Sequence, residues 1–253
     1  VIELKKFEKI LLIDRTTEKN ILWATNDYNF AATSEIKFEQ LDLIQPRYKK
    51  NFANKKNRTK NKAEVFTPTS VCDLQNNLID ESFGKISWQD YVSKKILEIT
   101  CGEAPYLANR YDAVTGAEIE IENRVGILDR KLKIISENVF EVDDWLSFAK
   151  KAVQSVYGYE FQGDNLFLAR KNIFLTVQEF FLDKFGFDAY TDFLIEIAEI
   201  ISWNLWQMDG KNFSVPFAKV EVDLFSEIQE NVLCKIMDWQ ENKICVFKNI
   251  GGN

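Results

Sequence analysis

Three short apolar runs, each followed by a polar or glycine-bearing turn, set the rhythm of residues 95–210. Lys95-Ile96-Leu97-Glu98-Ile99-Thr100 reads as a buried strand running into Cys101-Gly102-Glu103-Ala104-Pro105, with a helix expected to start near Pro105. Val156 to Phe161 reads as a second strand. Leu166, Leu168, Ala169, Ile173 and Val177 then fall at helical spacing over Asp164 to Phe181. Phe193, Leu194, Ile197, Ile200 and Ile201 mark a further helix over Phe187 to Ile201, and Trp203 to Met208 a third strand that ends at Asp209-Gly210. Strands alternating with helices predict an α/β fold with a mainly parallel sheet.

Upstream, Val71, Leu74, Leu78 and Ile79 have helical spacing after the Pro68-Thr69-Ser70 turn. Residues 1–45 form an N-terminal extension. There Ile10–Ile13 and Ile21–Ala24 read as two short strands around the polar Asp14–Asn20 turn, a hairpin. Residues 46–62 form a basic arm and residues 63–253 the main domain, with an insertion at about 109–150.

Composition narrows the chemistry. The 46% apolar content suits a packed core, and the absence of histidine excludes Ser-His-Asp and Cys-His catalysis and every histidine-containing zinc site. Cys72, Cys101, Cys234 and Cys245 show no Cys-x-x-Cys pair, so no metal is expected. No apolar stretch reaches membrane-spanning length and the opening residues lack a secretory layout, so the expectation is a cytoplasmic protein without a membrane partner. The net charge is −7, yet Arg47, Lys49, Lys50, Lys55, Lys56, Arg58, Lys60 and Lys62 lie within one acid-free segment. Such a run is either a solvated linker or a phosphate-binding arm for DNA. Eight phosphate contacts would give a log–log salt slope of roughly −7.

In open parallel sheets ligands bind beyond the carboxyl ends of the strands. Those ends carry Glu98, Thr100, Gly102 and Ala104 on the first strand, Glu160 on the second and Asp209 on the third. Gly102 and Ala104 leave room for close backbone approach. Glu160 is placed to accept from two ribose hydroxyls and Asp209 from an exocyclic amine. Together they point to a nucleoside-containing cofactor. Asp238, Glu241 and Lys243 offer a much thinner pattern, that of a metal-dependent nuclease, and Trp145, Trp203, Trp206 and Trp239 are either core or base-stacking rings.

Ala63-Glu64-Val65-Phe66-Thr67-Pro68 resembles the Phe-Thr-Pro motif of adenine-N6 DNA methyltransferases. Leu97–Ala104 is similar to their cofactor loop, with Ile99 in place of the usual Pro and Ala104 in place of the last Gly. Tyr157-Gly158-Tyr159-Glu160 with Leu168-Ala169-Arg170-Lys171-Asn172 resembles their second motif, and Asn204–Asp209 the third. Over most of its length the chain resembles the set labelled restriction endonuclease subunit M. The resemblance implies a Rossmann-like S-adenosylmethionine-dependent methyltransferase fold. It implies S-adenosylmethionine as cofactor, held by Phe66, Thr67, Pro68, Glu98, Thr100, Gly102, Glu160 and Asp209. It also implies DNA as substrate, and a restriction-modification or phage-defence setting with a nuclease or methylase subunit as partner.

The family holds its target amine with Asp/Asn/Ser-Pro-Pro-Tyr/Phe, and this sequence has no Pro-Pro. The nearest remnant is Ser214-Val215-Pro216-Phe217, which gives Ser214, Pro216 and Phe217 as catalytic candidates. Two expectations therefore stand side by side: a methyltransferase-like enzyme completed by a partner, and a non-catalytic DNA-binding or regulatory subunit.

Overall fold

The computed structural model describes residues 4–50, 56, 58–60, 67–221 and 229–250. Its centre is a sheet of three parallel strands, β3 (Ile96–Glu98), β4 (Val156–Glu160) and β5 (Leu205–Gln207), in that spatial order. The register pairs Ile96 with Val156 and Gly158 with Leu205. Side chains alternate across the sheet. Val156 and Leu205 join the main apolar cluster, whereas Tyr157 and Trp206 join a second cluster with Met208, Val215, Cys234 and Ile236.

Helices cover the first face. They are α4 (Ile127–Asn138), α5 (Val142–Gln154), α6 (Gly163–Phe185) and α7 (Thr191–Asn204). Helix α6 is buried on nearly every side over its first turns, as expected of a crossover helix wedged between other elements. Helix α2 (Thr69–Ser82) follows Pro68, whose backbone is extended, and Thr69 N and Oγ1 both donate to Asp112 Oδ2, at 2.8 and 2.9 Å. Helix α3 (Trp88–Ser93) is capped by Ser87.

The second face is covered by antiparallel pairs: β6 (Ser214–Glu221) with β7 (Gln229–Leu233), and β8 (Lys235–Asp238) with β9 (Lys243–Val246). The expected Rossmann-like methyltransferase fold with a mainly parallel sheet is corrected here. Parallel pairing stops at three strands, and the other described strands form separate antiparallel pairs. The reason lies in the connections. A parallel return needs a crossover of roughly a dozen residues or more. After Gln207 the stretches between strands are Met208–Phe213, residues 222–228, Cys234 and Trp239–Asn242, each shorter than that.

Residues 4–45 pack into the same apolar cluster as the helices, through Phe7, Leu11, Ile21, Trp23 and Ile36. Helix α1 (Leu4–Leu11) takes up part of the expected first strand, because Phe7 and Leu11 are buried one helical turn apart. The hairpin shrinks to β1 (Ile13–Asp14) and β2 (Lys19–Asn20), and Ile21–Ala24 runs antiparallel to Ser34–Ile36 instead. The buried Gln207 amide both accepts from Leu22 N and donates to Leu22 O, at 2.7 and 2.8 Å, and so ties this segment to β5. The helix expected near Pro105 does not form, and Pro105–Leu107 is a turn.

Candidate functional site

Parallel pairing brings the carboxyl ends of β3, β4 and β5 to one edge of the sheet. Glu160 closes the central strand and is 7% exposed. Gly102 N donates to its Oε2 at 2.9 Å and Gln162 N to its Oε1 at 3.0 Å. Gly102 and Glu160 are therefore in direct contact across the two strand ends. Asp209 lies just beyond the adjoining strand, but its carboxylate turns back on its own loop, accepting from Lys211 N and Asn212 Nδ2 at 2.9 and 2.7 Å.

The loop after β3 is bent at alternate residues. Thr100, Gly102 and Ala104 all have left-handed φ, at 49, 56 and 61°. Such backbone costs about 1–3 kcal/mol at each non-glycine residue and persists only where surroundings impose it. Here Cys101 N bonds Tyr159 O at 2.9 Å, and the Cys101 side chain packs on Gly158, where a Cβ would stand 3.2 Å from its sulfur. Buried Glu103 completes the anchorage. Its carboxylate accepts from Arg47 N and Tyr111 Oη, and its carbonyl from Asn172 Nδ2.

Glu98 sits beneath this loop. It is half-buried, and the nearby backbone N–H groups of Tyr106 and Leu107 favour its charged form. Its Oε2 is buried without a hydrogen-bond partner among the described residues. Burial raises the Glu98 carboxyl well above the ordinary range, and neighbouring Glu160 adds to the rise. Burial likewise raises the thiol of Cys72, to about 12, and that of Cys101. Thr67 lies close by, with Tyr106 Oη 3.5 Å from its Oγ1, and Pro68 precedes helix α2. Phe66 lies outside the described residues.

The basic arm divides in two. Arg58, 1% exposed, places Nη2 2.6 Å from Asp164 Oδ2 and Nε 2.6 Å from Asp27 Oδ2. Lys50 Nζ lies 3.0 Å from the same Asp164 oxygen, to which Tyr28 Oη also donates at 2.8 Å. Burial would raise the Asp164 carboxyl, but Lys50 and Arg58 outweigh it and hold it down at about 2. Arg47 is half-buried, with Nη2 on Thr59 Oγ1. Lys49, Lys56 and Lys60 are exposed, and Lys55 and Lys62 lie outside the described residues. Buried Arg170 spends its guanidinium on the carbonyls of Leu11, Ile13, Ser202 and Leu205.

Of the catalytic candidates, Ser214 and Pro216 are buried, and Ser214 O accepts from Asp209 N at 2.8 Å. Phe217 is 52% exposed at φ 61°, edge-on to Phe161 with ring centroids 5.9 Å apart. Sequence reasoning missed Glu103, Phe161, Gln162 and Asp164. Only Asp164 carried a signal, as an acid in the first turn of a helix. Trp145 and Trp206 are core residues, Trp239 donates to Asn204 Oδ1, and Arg15 lies over the Trp203 ring. Asp238 accepts from Gln240 N and Glu241 N and pairs with Lys95, so it closes a turn.

No family model, curated protein or solved structure matches the chain. Among the described residues no cluster of acids or cysteines could hold a metal ion, and no helix is long and apolar enough to cross a membrane.

Proposed function

We propose that the chain binds a nucleoside-bearing cofactor, S-adenosylmethionine, at the carboxyl ends of β3, β4 and β5. The observation that carries this reading is the Glu160 carboxylate at the end of the central strand, held against the backbone of the kinked Gly102 loop. A carboxylate at this strand end is the kind of group that makes charge-assisted hydrogen bonds to ribose hydroxyls. Asp209 can accept from the adenine amine once its loop bonds exchange for the ligand. The buried, unpartnered Glu98 Oε2, near Thr67, suits the cationic ammonium of the methionyl end. When bound, the cofactor supplies an electrophilic methyl group.

Binding, rather than self-sufficient methyl transfer to adenine, is the activity these residues support best. Ser214 and Pro216 are buried and Ser214 is bridged to Asp209, leaving Phe217 as the exposed member of the remnant motif. The resemblance of the motifs supports a setting in DNA restriction-modification or phage defence, as a subunit beside a nuclease or methylase. Lys49, Lys56 and Lys60 are the described arm cations open to phosphate.

Calorimetric titration with S-adenosylmethionine and its demethylated product tests the reading. Saturable binding is expected, weakened about 10- to 100-fold in Glu160→Gln, the equivalent of about 1.5–3 kcal/mol. Absence of binding by the folded protein overturns it. Labelled-methyl transfer to DNA by the chain alone would restore the enzyme reading.

A further inference from the structure

Among the described residues strand β3 is an edge of the parallel sheet, bonded to β4 on one side only. The backbone groups of Ile96 and Cys101 turn inward, to Ser155 O and Tyr159 O. Leu97 and Ile99, at the alternate positions, turn outward, and their N–H groups make no hydrogen bond among the described residues. An open edge is a template for another strand. The side chains here are also unfinished: Leu97 is 41% and Ile99 63% exposed.

Beside the edge lies an apolar recess of about 180 Å³, lined by Leu97, Tyr157, Trp206, Met237, Phe247 and Ile250. It is large enough for one aliphatic or aromatic side chain. The rim at the amino end of β3 is cationic, with Lys94 and Lys95 exposed and Lys95 loosely paired to Asp238 at 3.3 Å.

We infer that β3 is a docking edge for an extended segment of a partner protein. That segment would add as a fourth strand, carry aliphatic side chains at alternate positions, seat one of them in the recess and set an acidic residue against Lys94 and Lys95. The backbone edge specifies an extended partner rather than a helix, and the rim specifies the sign of its charge. Ile99 adjoins the Thr100–Ala104 loop, so a strand added here would border the strand-end site. The inference does not depend on a cofactor binding there.

The test uses the full chain and a synthetic decapeptide of alternating valine and threonine with two terminal aspartates. A control peptide carries lysines in place of the aspartates. Fluorescence anisotropy should show saturable binding of the acidic peptide, with weaker binding of the control. Hydrogen exchange should slow at the Leu97 and Ile99 amides. Leu97→Lys and Ile99→Lys replace exposed side chains, so unchanged thermal unfolding should accompany loss of binding. No binding, or binding indifferent to both variants, overturns the inference. Protection of the same amides that grows with protein concentration without peptide also overturns it, in favour of a second copy of the chain.

Discussion

Two fully buried ionisable side chains on one helix, Asp129 and Lys131, make stability depend on pH around neutrality. Burial lifts the Asp129 carboxyl to about 7, against Asn109 N–H and Arg124, which favour its charge. Burial lowers the Lys131 ammonium to about 7, where it donates to Lys94 O and Ser155 Oγ. For Asp129 the folded state binds the proton more tightly than the unfolded chain, so its contribution is full below about pH 4 and is lost as pH rises to about 7. For Lys131 the folded state releases its proton first, so stability returns from about pH 7 upward. Chemical denaturation across pH should therefore show a dip near neutrality. Asp129→Asn should flatten the acid-side limb and Lys131→Met the alkaline-side limb. A dip unchanged in both variants would refute the assignment. Arg170 acts at the same scale. Arg170→Met strands four buried carbonyls and should cost at least about 3 kcal/mol in urea unfolding.

Between elements, the start of helix α6 is where distant parts of the chain meet. Gly163 N bonds Trp23 O at 3.1 Å, and a Cβ on Gly163 would fall 1.9 Å from Leu22 O. Gly163→Ala should push residues 21–24 off the helix, costing about 1–3 kcal/mol, and limited proteolysis should then cut the N-terminal segment faster. Asp164→Asn leaves Lys50 and Arg58 buried with their shared charge removed, a loss of about 3–5 kcal/mol readable in denaturant titration. The sequence announced α6, α7 and the three parallel strands, because their apolar runs match the period of the element they form. It did not announce the Asp164 lock. A run of lysines and arginines looks the same whether it meets water or a carboxylate more than a hundred residues away. Nor did it announce the turn at Pro105–Leu107. There Asn76 Nδ2 and Ile127 N donate to Tyr106 O, and Leu128 N to Leu107 O, so a local helix signal yields to tertiary partners.

At the scale of the whole molecule, the burial of Lys50 and Arg58 rescales any encounter with DNA. Lys49, Lys56 and Lys60, the described exposed cations of the arm, amount to about 3 units of log–log salt slope, and Lys50 and Arg58 are withdrawn from the eight. Neutralising those three should flatten the slope by about 3 units in binding titrations across salt, without loss of fold. A slope that does not move would assign DNA contact to another surface. The fold class was legible only in part. The parallel core could be read between residues 96 and 207, whereas the hairpins that replace further parallel strands are dictated by connection length, a property that apolar periodicity does not report.

The alternately kinked backbone from Thr100 to Ala104 has one last consequence. Its contour is set by ties to β4 and Glu103 before any guest arrives, so little ordering entropy remains to be lost on arrival. Selectivity at this rim would then be a matter of outline: a molecule of the wrong curvature meets unyielding main chain, and no rearrangement of side chains can make room for it.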